Sequence, residues 1–201
     1  MANEEGCTSI PFLFYKYVIM KELPEHLGGH GNRNHVDSGA LEFLKESFDI
    51  KSLLDIGCGL GEMKHVCDSN DVSYLGIDGD WSIKRDHDAV VIHDYTTGPA
   101  PLDDKYFDLG WSTEFLEHVH GRYVENFMAD FSRCRYAMVT HAMPGKKGHH
   151  HVNCKKPEYW KNIFADAGFH FLEDVTQKLR KRSTMEREFV RTTALVFKKN
   201  G

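Results

Sequence analysis

The stretch LLDIGCGLGEM, residues 53–63, limits the fold more than any other part of this chain. An apolar run ends in Asp55, the backbone passes Gly57, Gly59 and Gly61, and a short helix begins. Glycines at this spacing let a chain turn sharply out of a buried strand and approach a ligand closely, while the helix that follows offers its N-terminal amides. A dinucleotide fingerprint GxGxxG starting at Gly57 needs its third glycine at position 62, where Glu62 stands, which argues against a nicotinamide-dependent oxidoreductase.

What surrounds the loop fits an α/β domain. Val36–Phe48 carries Leu41, Leu44 and Phe48 at helical spacing, with Asp37 and Ser38 as caps. Short apolar strands follow at 52–57, 74–78, 89–94, 107–112 and 137–142, with a helix over 121–134. A helix over 157–168 starts on Pro157 and stops at Gly168. Two closing strands, 169–175 and 189–197, are joined by the charged connection 176–188. This alternation predicts a Rossmann-like, mostly parallel sheet with helices on both faces, occupying 36–201. Residues 1–35, with Phe12, Phe14, Tyr15 and Tyr17 and then the glycine- and histidine-rich LGGHGNRNH, read as an N-terminal extension packed on the domain.

A chain of 201 residues, 41% hydrophobic, is enough for one sizeable core. A net charge of −5 argues against broad attraction to nucleic acid. Five cysteines (Cys7, Cys58, Cys67, Cys134, Cys154) without a CxxC pair suggest neither a disulfide framework nor a thiolate zinc site, and so a cytoplasmic setting. The apolar run 10–20 is broken by Pro11 and Lys16, so no membrane span is expected there.

Two further carboxylates fall at the ends of the next two strands, Asp78 in GIDGD and Asp94 in VIHDY. An acid after the second strand can accept from both ribose hydroxyls, and one after the third from an adenine amino group. With these residues in order, the chain from about Val36 to Phe197 resembles the class I S-adenosyl-L-methionine-dependent methyltransferases. Their loosely written motif D-x-G-x-G-x-G falls on Asp55, Gly57, Gly59 and Gly61. The resemblance implies a seven-stranded sheet with the last strand antiparallel. It also implies a cofactor site formed by Asp55, Gly57, Cys58, Gly59, Gly61, Asp78, Gly79, Trp81, Asp94, Tyr95 and Ser112, with Trp81 packing on the adenine. The segment STEFLEHV, 112–119, is similar to one in ubiquinone-type O-methyltransferases whose E-x-x-E-H pattern is associated with a divalent cation. Here that pattern is Glu114, Glu117 and His118, which on a helix would converge at i, i+3 and i+4. A cation is thus compatible with the sequence but not required by it. EFLEHV-like segments also occur in methyltransferases that need no metal, where Glu117 and His118 would line the acceptor side or cap neighbouring elements.

Nine of the thirteen histidines cluster at His26, His30 and His35, at His118 and His120, and at His141 with the run GHHHVNC, 148–154. The run leaves the fifth strand on the ligand-binding edge. In extended chain His149 and His151 point one way and His150 the other, so the run alone supplies at most two ligands to one metal. Proton removal from an acceptor suits imidazole, and acceptor hydrogen bonding or a structural loop are the other uses. Glu117, His118, His141 and His150 are the candidate catalytic groups; His149, His151 and Asn153 are the candidate acceptor contacts. In the connection, Lys178, Arg180, Lys181 and Arg182 form either an anion contact or a solvated face. The expected activity is O- or N-methylation of a small molecule or glycan. The alternative is a cofactor- or nucleotide-binding regulatory domain without catalysis.

Overall fold

The structure is a computed structural model and describes residues 22–29 and 35–201. The aromatic cluster at 12–17, Cys7 and His30 lie outside the described residues. Seven strands form one sheet in the order β3-β2-β1-β4-β5-β7-β6. Their spans are β1 Ser52–Ile56, β2 Ser73–Asp78, β3 Val90–Ile92, β4 Phe107–Ser112, β5 Cys134–Val139, β6 Phe169–Phe171 and β7 Leu195–Lys199. Strands β1 to β5 pair in parallel, and β7 runs antiparallel to both β5 and β6. The expected fold class is therefore the observed one, including the antiparallel last strand.

Two apolar layers cover the sheet. Leu54, Ile56 and Phe197 pack with Phe127 and Phe131 of α3 (Val124–Phe131) and with Trp160 and Phe164 of α4 (Pro157–Asp166). Leu53, Leu109 and Val196 pack on the other face with Leu41 and Leu44 of α1 (Ser38–Phe48) and with Met63 and Cys67 of α2 (Met63–Ser69). The neighbours Leu53 and Leu54 thus face opposite layers, as the two-residue strand repeat requires. No helix among the described residues is long and apolar enough to cross a membrane.

The first turn of α1 is capped as its sequence suggests. Asp37, fully buried, accepts from the Ala40 amide and from the Thr184 amide and the Ser183 hydroxyl 146 residues away. One carboxylate therefore caps a helix and ties the chain's beginning to its end.

The structure corrects the C-terminal third of the sequence reading. The charged connection is a helix, α5 (Glu173–Arg182), with Glu173 and Asp174 in its first turn and Arg180, Lys181 and Arg182 in its last, which complements the helix dipole. Thr176 and Leu179 are its buried residues. The Arg180 guanidinium donates to the Ala194 carbonyl from Nε and Nη2, at 3.1 and 2.8 Å, so it caps the turn into β7 instead of facing an anion. Residues 189–193 form α6 (Phe189–Thr193), not the start of a strand, because Val190 docks beside Leu179 and only Leu195–Lys199 can reach β5 and β6. The fifth strand begins at Cys134, earlier than expected, where it pairs with Phe107, and it ends before His141.

Candidate functional site

The C-terminal ends of β1, β2 and β4 open into a cavity of about 650 Å³. One half of it is built by the glycine loop. Gly57 has φ 77° and Gly59 φ 54°, and a Cβ on Gly57 would lie 2.3 Å from Phe115 Cδ2, so only glycine fits that turn. The Gly57 and Cys58 amides donate to the Ile77 carbonyl, which draws the loop onto the end of β2. The Gly59 amide donates to Asp78 Oδ2 at 2.8 Å. Asp78 Oδ1 accepts from the Asp80 amide at 2.9 Å and faces the Arg85 guanidinium at 3.4 Å. Asp78 is thus buried, oriented and countered before any ligand arrives.

Asp55 is in a different situation. It is buried, accepts from the Tyr74 hydroxyl at 3.1 Å, and has the Asp78 carboxylate as a neighbour. Loss of solvent pushes its pKa up to about 7; the Tyr74 hydrogen bond works against this and Asp78 adds to it. A carboxyl in this state keeps its proton toward neutral pH unless a cation faces it. Asp94, at the third strand end, accepts from the Thr96 amide at 2.8 Å and from His26 Nε2 at 3.0 Å. Its pKa is lowered because these hydrogen bonds outweigh the desolvation that acts against them.

His26 belongs to a strap, Pro24–Gly29, that crosses the cavity. Leu27 packs so closely on Gly79 that a Cβ there would sit 2.4 Å from Leu27 Cδ2. His149 Nε2 donates to the Glu25 carbonyl at 2.8 Å. The strap therefore links Asp94 and Gly79 to the histidine loop. Sequence reasoning missed His26, Leu27 and the Arg85 partner of Asp78; the only early sign was the density of histidines before α1.

The opposite half is walled by the loop after β5. His149, His150 and His151 line it together with Glu114, His118 and His120. His150 holds a left-handed φ of 45° and packs near His120, His26 and His149, with ring centroids at 5.5, 6.2 and 6.5 Å. Its Nε2 is buried without a hydrogen-bond partner, and desolvation first, then the neighbouring His120, pulls its pKa down. Glu114 to His118 is not an α-helix: Glu114 sits at φ 54° and only Leu116–His118 makes a short 3-10 turn. Glu114 and Glu117 nevertheless meet, and burial, reinforced for Glu114 by the Glu117 charge, raises both carboxyls.

Of the residues expected at the site, Asp55, Gly57, Cys58, Gly59, Asp78, Gly79, Asp94, Tyr95, His118 and the three-histidine run line the cavity. Gly61, Trp81, Ser112, Glu117, His141 and Asn153 do not. Trp81 is 42% exposed. The Ser112 hydroxyl donates to the Ile56 carbonyl and fastens β4 to β1. His141 and Asn153 are buried behind the wall, and burial lowers the His141 pKa.

Comparison with known proteins agrees with this arrangement. A family model described as a methyltransferase domain matches residues 54–135. No curated protein matches the chain. Among solved structures, a TehB-like SAM-dependent methyltransferase from Corynebacterium glutamicum is similar at 16% identity and TM-score 0.57, over 85% of this chain and 90% of that one. The magnesium protoporphyrin IX methyltransferase of Synechocystis, solved with bound SAM, is similar at 14% identity and TM-score 0.56, over 81% and 77%. A SAM-dependent methyltransferase from Archaeoglobus fulgidus is similar at 19% identity and TM-score 0.53, over 80% and 94%. At these identities the structural likeness is one of fold. The glycine loop that leads into the acid-bearing strand ends lies inside the matched span 54–135, so that segment is similar to a methyltransferase domain, and the sheet that carries it has the fold of the S-adenosylmethionine-dependent methyltransferases.

Proposed function

We propose that this protein transfers a methyl group from S-adenosylmethionine to an oxygen or nitrogen of a small-molecule or glycan acceptor. The observation that carries the reading is the division of one cavity into an acid-bearing half at the glycine loop and a histidine-walled half beyond it. The first half suits the donor: Asp55 lacks a cationic partner, and Asp78 and Asp94 keep acceptor capacity at successive strand ends. Bound there, S-adenosylmethionine supplies a methyl group activated by a cationic sulfur.

The histidine wall then handles the acceptor. A hydroxyl or amine lone pair forms the new bond to the methyl carbon, and the electrons of the breaking carbon–sulfur bond stay on sulfur as a neutral thioether. The acceptor's proton goes to a base, and His150 Nε2, held neutral and without a partner, is our assignment for it. His149 and His151 flank the acceptor, and His118 faces it from the β4 side. His141 and Asn153 support the loop from behind.

The test is a thermal-shift comparison of S-adenosylmethionine, S-adenosylhomocysteine and NAD, followed by screening a metabolite and sugar library with labelled donor. Stabilisation by both sulfur compounds and label transfer lost in His150→Ala is the expected result. Stabilisation by NAD alone overturns the reading. Donor binding without turnover on any acceptor selects the non-catalytic binding domain.

A further inference from the structure

His118 and His151, which line the histidine half, together with the buried Glu117 beside them, point to a ligand of a different kind. A carboxylate oxygen of Glu117 and ring nitrogens of His118 and His151 all lie within 4.8 Å of one another. Two separate segments meet there, the turn after β4 and the loop after β5. The Val152 and Asn153 amides both donate to the Glu117 carbonyl, at 2.9 and 3.0 Å, so the loop is stapled to the turn and His151 is held over Glu117. His151 Nδ1 donates to the Lys146 carbonyl at 3.0 Å. That bond fixes the ring orientation and leaves Nε2 as the lone-pair nitrogen, the arrangement second-sphere carbonyls impose on metal-bound histidines. The Glu117 side chain is fully buried. Neither of its oxygens has a hydrogen-bond partner by geometry, although its own amide and the Glu114 carboxyl are near enough to act on its charge. A buried carboxylate left in this state is costly unless something positive completes it.

We infer that Glu117, His118 and His151 form a binding site for a divalent first-row transition metal such as zinc, manganese or iron. Two imidazoles and one carboxylate suit these ions, whereas calcium and magnesium call for more oxygen ligands. The set differs from the one that helical spacing suggests: Glu114 is outside it, and His151, 33 residues after His118, is inside. Three protein ligands leave coordination positions open, and His118 and His151 line the cavity, so those positions face the space where an acceptor oxygen would bind and be polarised. That last role rests on the methyltransferase reading; the ligand set does not.

The test uses the full chain, stripped with chelator and titrated calorimetrically with Zn²⁺ and Mn²⁺, with Co²⁺ absorption as a report on the ligands. One ion per chain is expected, with affinity reduced at least tenfold in His151→Ala and in Glu117→Gln. His170→Ala, which changes a histidine on β6 bonded to Asn200, is expected to bind as wild type. Circular dichroism of each variant separates lost ligation from lost folding, and the Co²⁺ spectrum of His151→Ala carries the test if Glu117→Gln does not fold. No saturable binding, or binding equal in wild type and His151→Ala, overturns the site. S-adenosylmethionine binding is followed on the same samples: donor binding without metal binding removes this proposal and leaves the methyltransferase reading standing, and the reverse result does the opposite.

Discussion

On the proposed reading, Asp55 is the residue whose chemistry most directly reports on a bound donor. With its pKa raised to about 7 by burial, the carboxyl is largely protonated in mildly acidic solution and must ionise to face a cation. Donor binding is therefore expected to release a proton below about pH 7, and affinity should fall by up to about tenfold per unit as pH decreases from there. Calorimetry at pH 5.5, 6.5 and 7.5 measures this directly, and an affinity constant over that range would remove Asp55 from the donor site. At this scale the sequence was informative where residue type and backbone position coincide. Glycines and acids at strand ends announce their position, since only the backbone has to be placed to place them. Trp81 is partly exposed and outside the cavity lining, and nothing in a sequence tells which way such a loop side chain turns. Glu117 was read as an i+3 partner of Glu114, but a left-handed residue at 114 breaks the helix that spacing assumed.

Among the elements, the strap Pro24–Gly29 is the one whose position has the sharpest consequence. His26 occupies Asp94 Oδ2, the acid the cofactor reading gives to adenine, and Leu27 covers Gly79, next to Asp78, the acid it gives to ribose. On the proposed reading, donor entry requires the strap to shift. Removing the His26–Asp94 contact by His26→Ala, a partly exposed pair contributing about 1 kcal/mol or less, should speed donor association by about fivefold at most. Stopped-flow binding is the measurement, and an unchanged or slower association would mean that the strap forms part of the bound site instead of its cover. No periodicity marks this segment, so the sequence could give only a histidine-rich extension. Elements with a strong repeat were legible: α1, β1, β2, β4 and α4 fall within a residue or two of expectation. The run FVRTTALVF misled because its β-branched residues favour a strand locally, while the docking of Val190 against Leu179 winds its first half into α6.

For the molecule as a whole, the donor half of the cavity is a place where function is set against stability. A carboxyl with a raised folded-state pKa holds its proton in the native state after the unfolded chain has released it. Asp55, shifted from 3.8 to about 7, therefore destabilises the native state progressively as pH rises from about 4 to about 7 and by a constant amount above, with an upper bound of about 4 kcal/mol. Other groups titrate nearby: Asp94 and Asp108, with lowered values, lose stabilisation only as pH falls below about 4, and His141 and His150 lose theirs as pH falls below about 6.5. Comparing wild type with Asp55→Asn cancels those contributions, since asparagine keeps an acceptor for Tyr74 and cannot ionise. The variant's advantage in melting temperature should be near zero at pH 4.5, widen toward pH 7 and then level, reaching several degrees. Saturating donor should reverse the order at pH 8, because only wild type gains a carboxylate–cation contact. Calorimetric melts of both proteins across this range decide the matter: a gap that does not change with pH would mean that Asp55 is ionised in the fold throughout, already countered by a charge within the protein.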